Sequence, residues 1–176
     1  MKVQSMMLST CLVVGLALSS CDKDNEKQKL NDTDQDFMKK ASISNTAEVS
    51  AGTLAATKAT NARVKAFAQH MIMEHTTAQN DLKNVGNTVG YPVKDTIDPE
   101  HVAIAALLNT LSGRAFDSAY IHSQVADHDK TIGFFQNEIN NGRHMDVKNY
   151  ASSKLPNIQM HRTQADSIAK AFFMKR

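Results

Sequence analysis

Between Asn61 and Val85 the apolar residues Val64, Phe67, Met71, Ala78, Leu82 and Val85 recur at steps of three, four or seven, the spacing that lays one face of an α-helix against a core. His75 fills the gap in that stripe between Met71 and Ala78. Asn61 is a good N-cap. The preceding stretch, starting near Asp34 or Asp36, repeats the pattern through Phe37, Ala41, Ser44, Ala47, Ala51, Leu54 and Ala55, with Glu48 four beyond Ser44. Gly86 to Pro99 holds two Gly and two Pro and reads as a connection, followed by a short helix from His101 to Leu111. Ser112-Gly113 breaks that helix. A third long helix then runs from Arg114 to about Asn140 with Phe116, Tyr120 or Ile121, Gln124, Val125, Ile132, Phe135 and Ile139 inward, and His128 four after Gln124. Asn140-Asn141-Gly142 stops it. A fourth helix carries Val147, Tyr150, Ala151, Leu155, Ile158, Ala165, Ile168 and Phe172, with His161 on the same stripe. Pro156 predicts a kink or break just before it, because proline removes a backbone donor.

The second of these helices resembles the fourth. Val64-Lys65-Ala66-Phe67-Ala68 matches Val147-Lys148-Asn149-Tyr150-Ala151; beyond a three-residue insertion near Pro156, His75, Thr77 and Leu82 match His161, Thr163 and Ile168. The same offset roughly superposes Glu48 on His128. Two such hairpins joined by a long crossover predict an all-α four-helix bundle over residues 34–176, with near two-fold internal symmetry. Composition points the same way: with 41% hydrophobic and only 6% aromatic residues, seven Gly, three Pro and no Trp, the chain has apolar material for one helical core. Lys plus Arg number 20 against 18 Asp plus Glu, and the net +2 creates no field that favours nucleic acid as a partner.

Residues 1–20 have the zones of a secretory signal: Lys2, an apolar run from Met6 to Leu18, and small residues after it. That run is too short to span a bilayer. Leu18-Ser19-Ser20-Cys21 resembles the bacterial lipobox, in which cleavage leaves a lipidated cysteine as the first mature residue. The resemblance implies a cell-envelope protein whose membrane partner is reached through Cys21. Cys11 departs with the signal, so the mature chain forms no internal disulfide. Residues 21–33 are nearly devoid of apolar side chains and read as a flexible tether.

Ala47-Glu48, Phe67-Ala68-Gln69-x-Met71-Ile72-x-x-His75, Phe116-Asp117-x-x-Tyr120, His128 and Leu155-Pro156-x-x-x-x-His161 together resemble the ferritin-like family catalogued as domain of unknown function 4142. The likeness spans about Asp34 to Phe172. It implies a ferritin-like bundle, mostly exported, and no established reaction.

Each long helix places one metal-capable group on its apolar stripe: Glu48, His75, His128 and His161. Counted from turns near residues 60 and 142, they stand 12, 15, 14 and 19 residues away. At about 1.5 Å per residue the spread is roughly 10 Å, part of which the Pro156 irregularity can absorb. One shared layer is the expectation, and three imidazoles with a carboxylate suit Zn, Cu or Fe. No Glu-x-x-His occurs: Ala51, Thr77 and Asn141 stand three after Glu48, Glu74 and Glu138, so the carboxylates of a di-iron centre are missing. The alternative is a metal-free interaction or stress-response module whose buried polar cluster only fixes register. Asp117 and Tyr120 form a second constellation, read as capping and hydrogen bonding near the start of the third long helix. His70, His101, His122 and His144 fall on polar faces or in loops and read as solvated. There is no phosphate loop, nucleophile elbow or Cys-x-x-Cys to indicate an enzyme.

Overall fold

Five helices make up nearly all of residues 29–174, the part of the chain that the computed structural model describes: α1 (Asp32–Lys58), α2 (Ala62–Thr88), α3 (Pro99–Thr110), α4 (Gly113–Asn141) and α5 (Met145–Met174). The signal segment, Cys21 and the tether up to residue 28 lie outside the described residues. Helix starts follow local chemistry. Asn31 and Asp34 form a reciprocal capping box, with Asp34 N–H donating to Asn31 Oδ1 (2.8 Å) and Asn31 N–H to Asp34 Oδ2 (2.7 Å). Asn61 accepts from Arg63 N–H at 2.9 Å, and Asp98 caps α3 ahead of Pro99 at its first turn.

The helices pair as two hairpins, α1 with α2 and α4 with α5; α1 also packs on α4 and α2 on α5. The crossover after α2 carries α3 back along the bundle to the start of α4. Apolar side chains gather in two blocks. One, at the end of the α1–α2 turn, contains Val64, Phe67, Met71, Phe116, Tyr120, Ile121 and Ala165; the other contains Phe37, Met38, Leu82, Phe135, Val147, Tyr150 and Ile158. On every long helix a buried polar residue separates them: Glu48 on α1, His75 on α2, His128 on α4 and His161 on α5. Among the described residues no helix is long and apolar enough to cross a membrane.

The structure moves three boundaries. The bundle begins before Asp34, because Leu30 packs on the Phe37 block and Asn31 caps α1. Asp34 itself is fully buried, and its carboxyl accepts Arg143 N–H (2.9 Å) and His144 N–H (3.1 Å), stapling α1 to the α4–α5 turn. Apolar periodicity cannot register a staple made by a polar side chain. α2 continues through Gly86 to Thr88, since the connection folds back on it: Tyr91 N–H donates to Gly86 O at 2.8 Å, and a Cβ on Gly86 would stand 2.6 Å from Tyr91 O. Finally, α5 runs unbroken through Pro156.

Near the Asp34 staple, Glu138 is fully buried with neither carboxyl oxygen hydrogen-bonded. Burial, then the Asp34 carboxyl beside it, raise Glu138 from 4.5 to about 8, against an opposing pull from Lys148. The folded state therefore keeps a proton that the unfolded chain releases above pH 4.5. The resulting stability is complete below that pH and drains away as pH rises to about 8. Glu138→Gln, which cannot titrate, is expected to be more stable than the parent at about pH 9 by on the order of 1–3 kcal/mol, after allowance for solvent screening, with little difference near pH 5. Urea titrations at the two pH values check this; parallel pH profiles would contradict it.

Candidate metal centre

The polar layer brings three imidazoles from three helices face to face. His75, His128 and His161 are each 2–5% exposed, and one nitrogen from each lies within 4.8 Å of the others. Their ring centroids stand 5.6–5.8 Å apart. Glu48, expected as a fourth ligand, touches the group only at His128, its Oε1 3.6 Å from Nδ1, and does not join the three imidazoles whose nitrogens lie within 4.8 Å of one another. His75 and His161, matched by the internal repeat, face each other across the α2–α5 seam.

Hydrogen bonds fix two of the three rings. His75 Nδ1 is 3.0 Å from Asn45 Oδ1, an acceptor, so Nδ1 carries the proton and Nε2 keeps its lone pair. Asn45 is itself oriented, its Nδ2 donating to Gln79 Oε1 (3.3 Å) and to Tyr150 Oη (3.2 Å). Gln79 Nε2 donates in turn to Ser42 Oγ and Asp95 Oδ1, both at 2.7 Å, which extends the network to the crossover. His128 Nδ1 donates to the backbone carbonyl of Gln124 at 2.9 Å, leaving its Nε2 as lone pair. These Nε2 atoms and both nitrogens of His161 are buried without a hydrogen-bond partner. An imidazole whose far nitrogen is held while the near one faces a cluster is the usual arrangement of a metal ligand.

Electrostatics keep the cluster uncharged at neutral pH. Burial, then repulsion from His128, His161 and His70, lowers His75 well below its ordinary value. Burial lowers His128 to about 4; burial, then His128 and His70, lowers His161 to about 3. Burial and Asp127 raise Glu48 to about 8, against a hydrogen bond from Gln124. The 3.6 Å contact of Glu48 with His128 is therefore between neutral groups near pH 7 rather than an ion pair. Neutral imidazoles are the form that binds metals.

The remaining candidates divide. Asp117 accepts Thr60 N–H (3.0 Å), Thr60 Oγ–H (2.6 Å) and Asn61 N–H (2.9 Å), stapling α4 to the α1–α2 turn rather than capping its own helix. Tyr120, expected to hydrogen bond alongside it, does not: Oη is buried without a partner, and burial, then the Glu48 carboxyl, push the phenol well above its ordinary value. Asp34 and Asp117 play equivalent parts, each accepting two backbone N–H groups from the other hairpin's turn. That equivalence sets the repeat at the same offset as Val64 to Val147, which aligns His128 with Asn45, not with Glu48. Of the histidines read as solvated, His122 is exposed, whereas His101 is partly buried with Nδ1 2.5 Å from Asp98 Oδ1. His144 Nδ1 accepts Asp146 N–H at 3.2 Å. His70 is half-buried, its ring edge-to-face with His161 at 5.2 Å. Asn45, three before Glu48, and Gln79, four after His75, gave no sequence signal, because the bonds they make run across the α1–α2 seam.

Over residues 19–168 the sequence matches the family described as Domain of unknown function (DUF4142). The chain belongs to this DUF4142 family. No curated protein matches the sequence. Among solved structures, the chain is similar to a DUF305 fragment from Deinococcus radiodurans, with TM-score 0.72 and 11% identity over 81% of this chain and 99% of that one. At that identity the likeness shows the fold alone. This DUF4142 member is thus an all-α bundle with a buried His75-His128-His161 group capable of holding a metal ion.

The hydrogen bonds distinguish ligand from ligand in metal-free protein. His161→Leu removes two unsatisfied buried nitrogens and strands no partner, so with chelator present it is expected to match or exceed the parent's stability. His75→Leu strands Asn45 Oδ1 and is expected to lose on the order of 1–3 kcal/mol. Thermal melts of both variants in chelator check this, and the reverse order would contradict the geometry.

Proposed function

We propose that this DUF4142 protein is a lipid-anchored envelope bundle that binds one transition-metal ion in its polar layer. The carrying observation is the convergence of His75, His128 and His161 with their ligand nitrogens unengaged in the buried middle of the bundle. His75 Nε2, His128 Nε2 and one His161 nitrogen would hold the ion. Nitrogens on one ion at about 2.0–2.1 Å stand roughly 3.3–3.6 Å apart, so binding would draw the rings together by about an ångström. Borderline imidazole donors suit Zn2+ or Cu2+, and Fe as well, while the lack of paired carboxylates argues against a di-iron centre. The reading is one of metal holding, for storage, resistance or redox protection, and assigns no reaction. Leu18-Ser19-Ser20-Cys21 and the signal-like segment before it support the anchor.

Protein purified without a tag is expected to take up about one Zn2+ or Cu2+ per chain, and its unfolding free energy to rise by about 2.7 kcal/mol at a hundredfold excess over Kd. His128→Ala should abolish both the uptake and the shift. Metal analysis and melts with Zn2+, Cu2+ or chelator read the result; melting curves that ignore every metal would leave the layer as a register device alone. For the anchor, a labelled fatty acid should appear on the parent and not on Cys21→Ser, which should leave the membrane fraction; an unlabelled parent refutes it.

A further inference from the structure

One ligand of the layer differs from the other two. His75 and His128 are each held at Nδ1, but neither nitrogen of His161 has a hydrogen-bond partner. Turning His75 or His128 would break a bond to Asn45 or Gln124; turning His161 breaks none. Its helix is also less constrained there, because Pro156, little more than one turn earlier, offers no N–H to the carbonyl of Ser152. On its outer side His161 meets His70, edge-to-face at 5.2 Å, and His70 lines an open groove between α2 and α5 with Arg63, Phe67 and Thr163. Across the same seam Glu74 Oε2 accepts Asn157 Nδ2 at 3.3 Å, one turn from His70 and from His161 respectively. A row of imidazoles therefore leads from solvent to the layer: His70, then His161, then His75 and His128.

We propose that His70 is the outer capture site for a divalent transition-metal ion, and that His161 is the moving ligand that passes the ion between His70 and the fixed His75–His128 pair. This rests on the metal-binding reading above. An ion reaching a buried layer must exchange its waters for protein ligands, and a half-buried imidazole in contact with a buried mobile one supplies successive steps. On the opposite face His101, Asp127 and Glu48 also lead toward His128, but Glu48 meets it at Nδ1, the nitrogen already donated to the Gln124 carbonyl. There a cavity lined by Glu48, Gln124, Asp127 and His101 lies under α3, with His101 tied to Asp98.

Transfer of Zn2+ from a chromophoric chelator to metal-free protein, followed by stopped flow, tests the route. Loading at equilibrium is measured first. His70→Leu is expected to reach the parent's stoichiometry and affinity while uptake and release both slow by about tenfold or more, since a route alters rates and not the end state. His70→Gln, also lacking a ligand nitrogen, should behave alike, and melts of both variants should match the parent. His101→Leu should keep parental rates. Parental rates in His70→Leu overturn the proposal, as does slowing confined to His101→Leu. Loss of equilibrium binding in His70→Leu also overturns it, by making His70 a ligand. A parent that takes up no Zn2+ sinks the metal-binding reading itself and this proposal with it, an outcome distinct from a parent that loads at a rate independent of His70.

Discussion

Buried polar atoms need partners, and the middle of this bundle places imidazole nitrogens where the protein supplies none. Each such atom costs about 1–3 kcal/mol in a dry interior. Leucine at position 161 would fill similar space without that cost, so the layer is maintained against the preference of a helical core for apolar packing. The two apolar blocks on either side carry that burden. Burial between them keeps the imidazoles neutral and their lone pairs available.

The geometry of the layer is set at the ends of the molecule as much as at its centre. Asp34 clamps the α4–α5 turn and Asp117 clamps the α1–α2 turn, so each hairpin is pinned to the other at its far end. With both ends fixed, the four long helices are held in the register that brings His75, His128 and His161 together beside Glu48. Local hydrogen bonds then choose the tautomers: Asn45, itself held by Gln79 and Tyr150, for His75, and the Gln124 carbonyl for His128. Fold and site are one construction, in which long-range staples give position and short-range bonds give orientation.

What could be read from the chain was what repeats with the helix. Stripes of apolar residues locate four long helices, and residues that interrupt a stripe, such as His75 between Met71 and Ala78, are buried for the same reason as their neighbours. What could not be read was polar or aperiodic. Leu30 and Asp34 belong to the fold through a packing contact and a staple that no periodicity marks. Gly86 looked like a helix stop but is needed where Tyr91 and Val93 close on the backbone. His70 lies off the stripe, and only the approach of α5 shows its contact with His161. The sequence repeat only roughly superposes Glu48 on His128, whereas the two aspartate staples set a register that puts Asn45 in that place.

The central claim is that the three imidazoles are ligands. X-ray absorption at the metal edge of Zn2+- or Cu2+-loaded protein tests it most directly. Imidazole multiple scattering from three nitrogens at about 2.0–2.1 Å is the predicted result, falling to two in His161→Leu. Sulfur scattering from methionine, or a spectrum unchanged in that variant, would contradict the account.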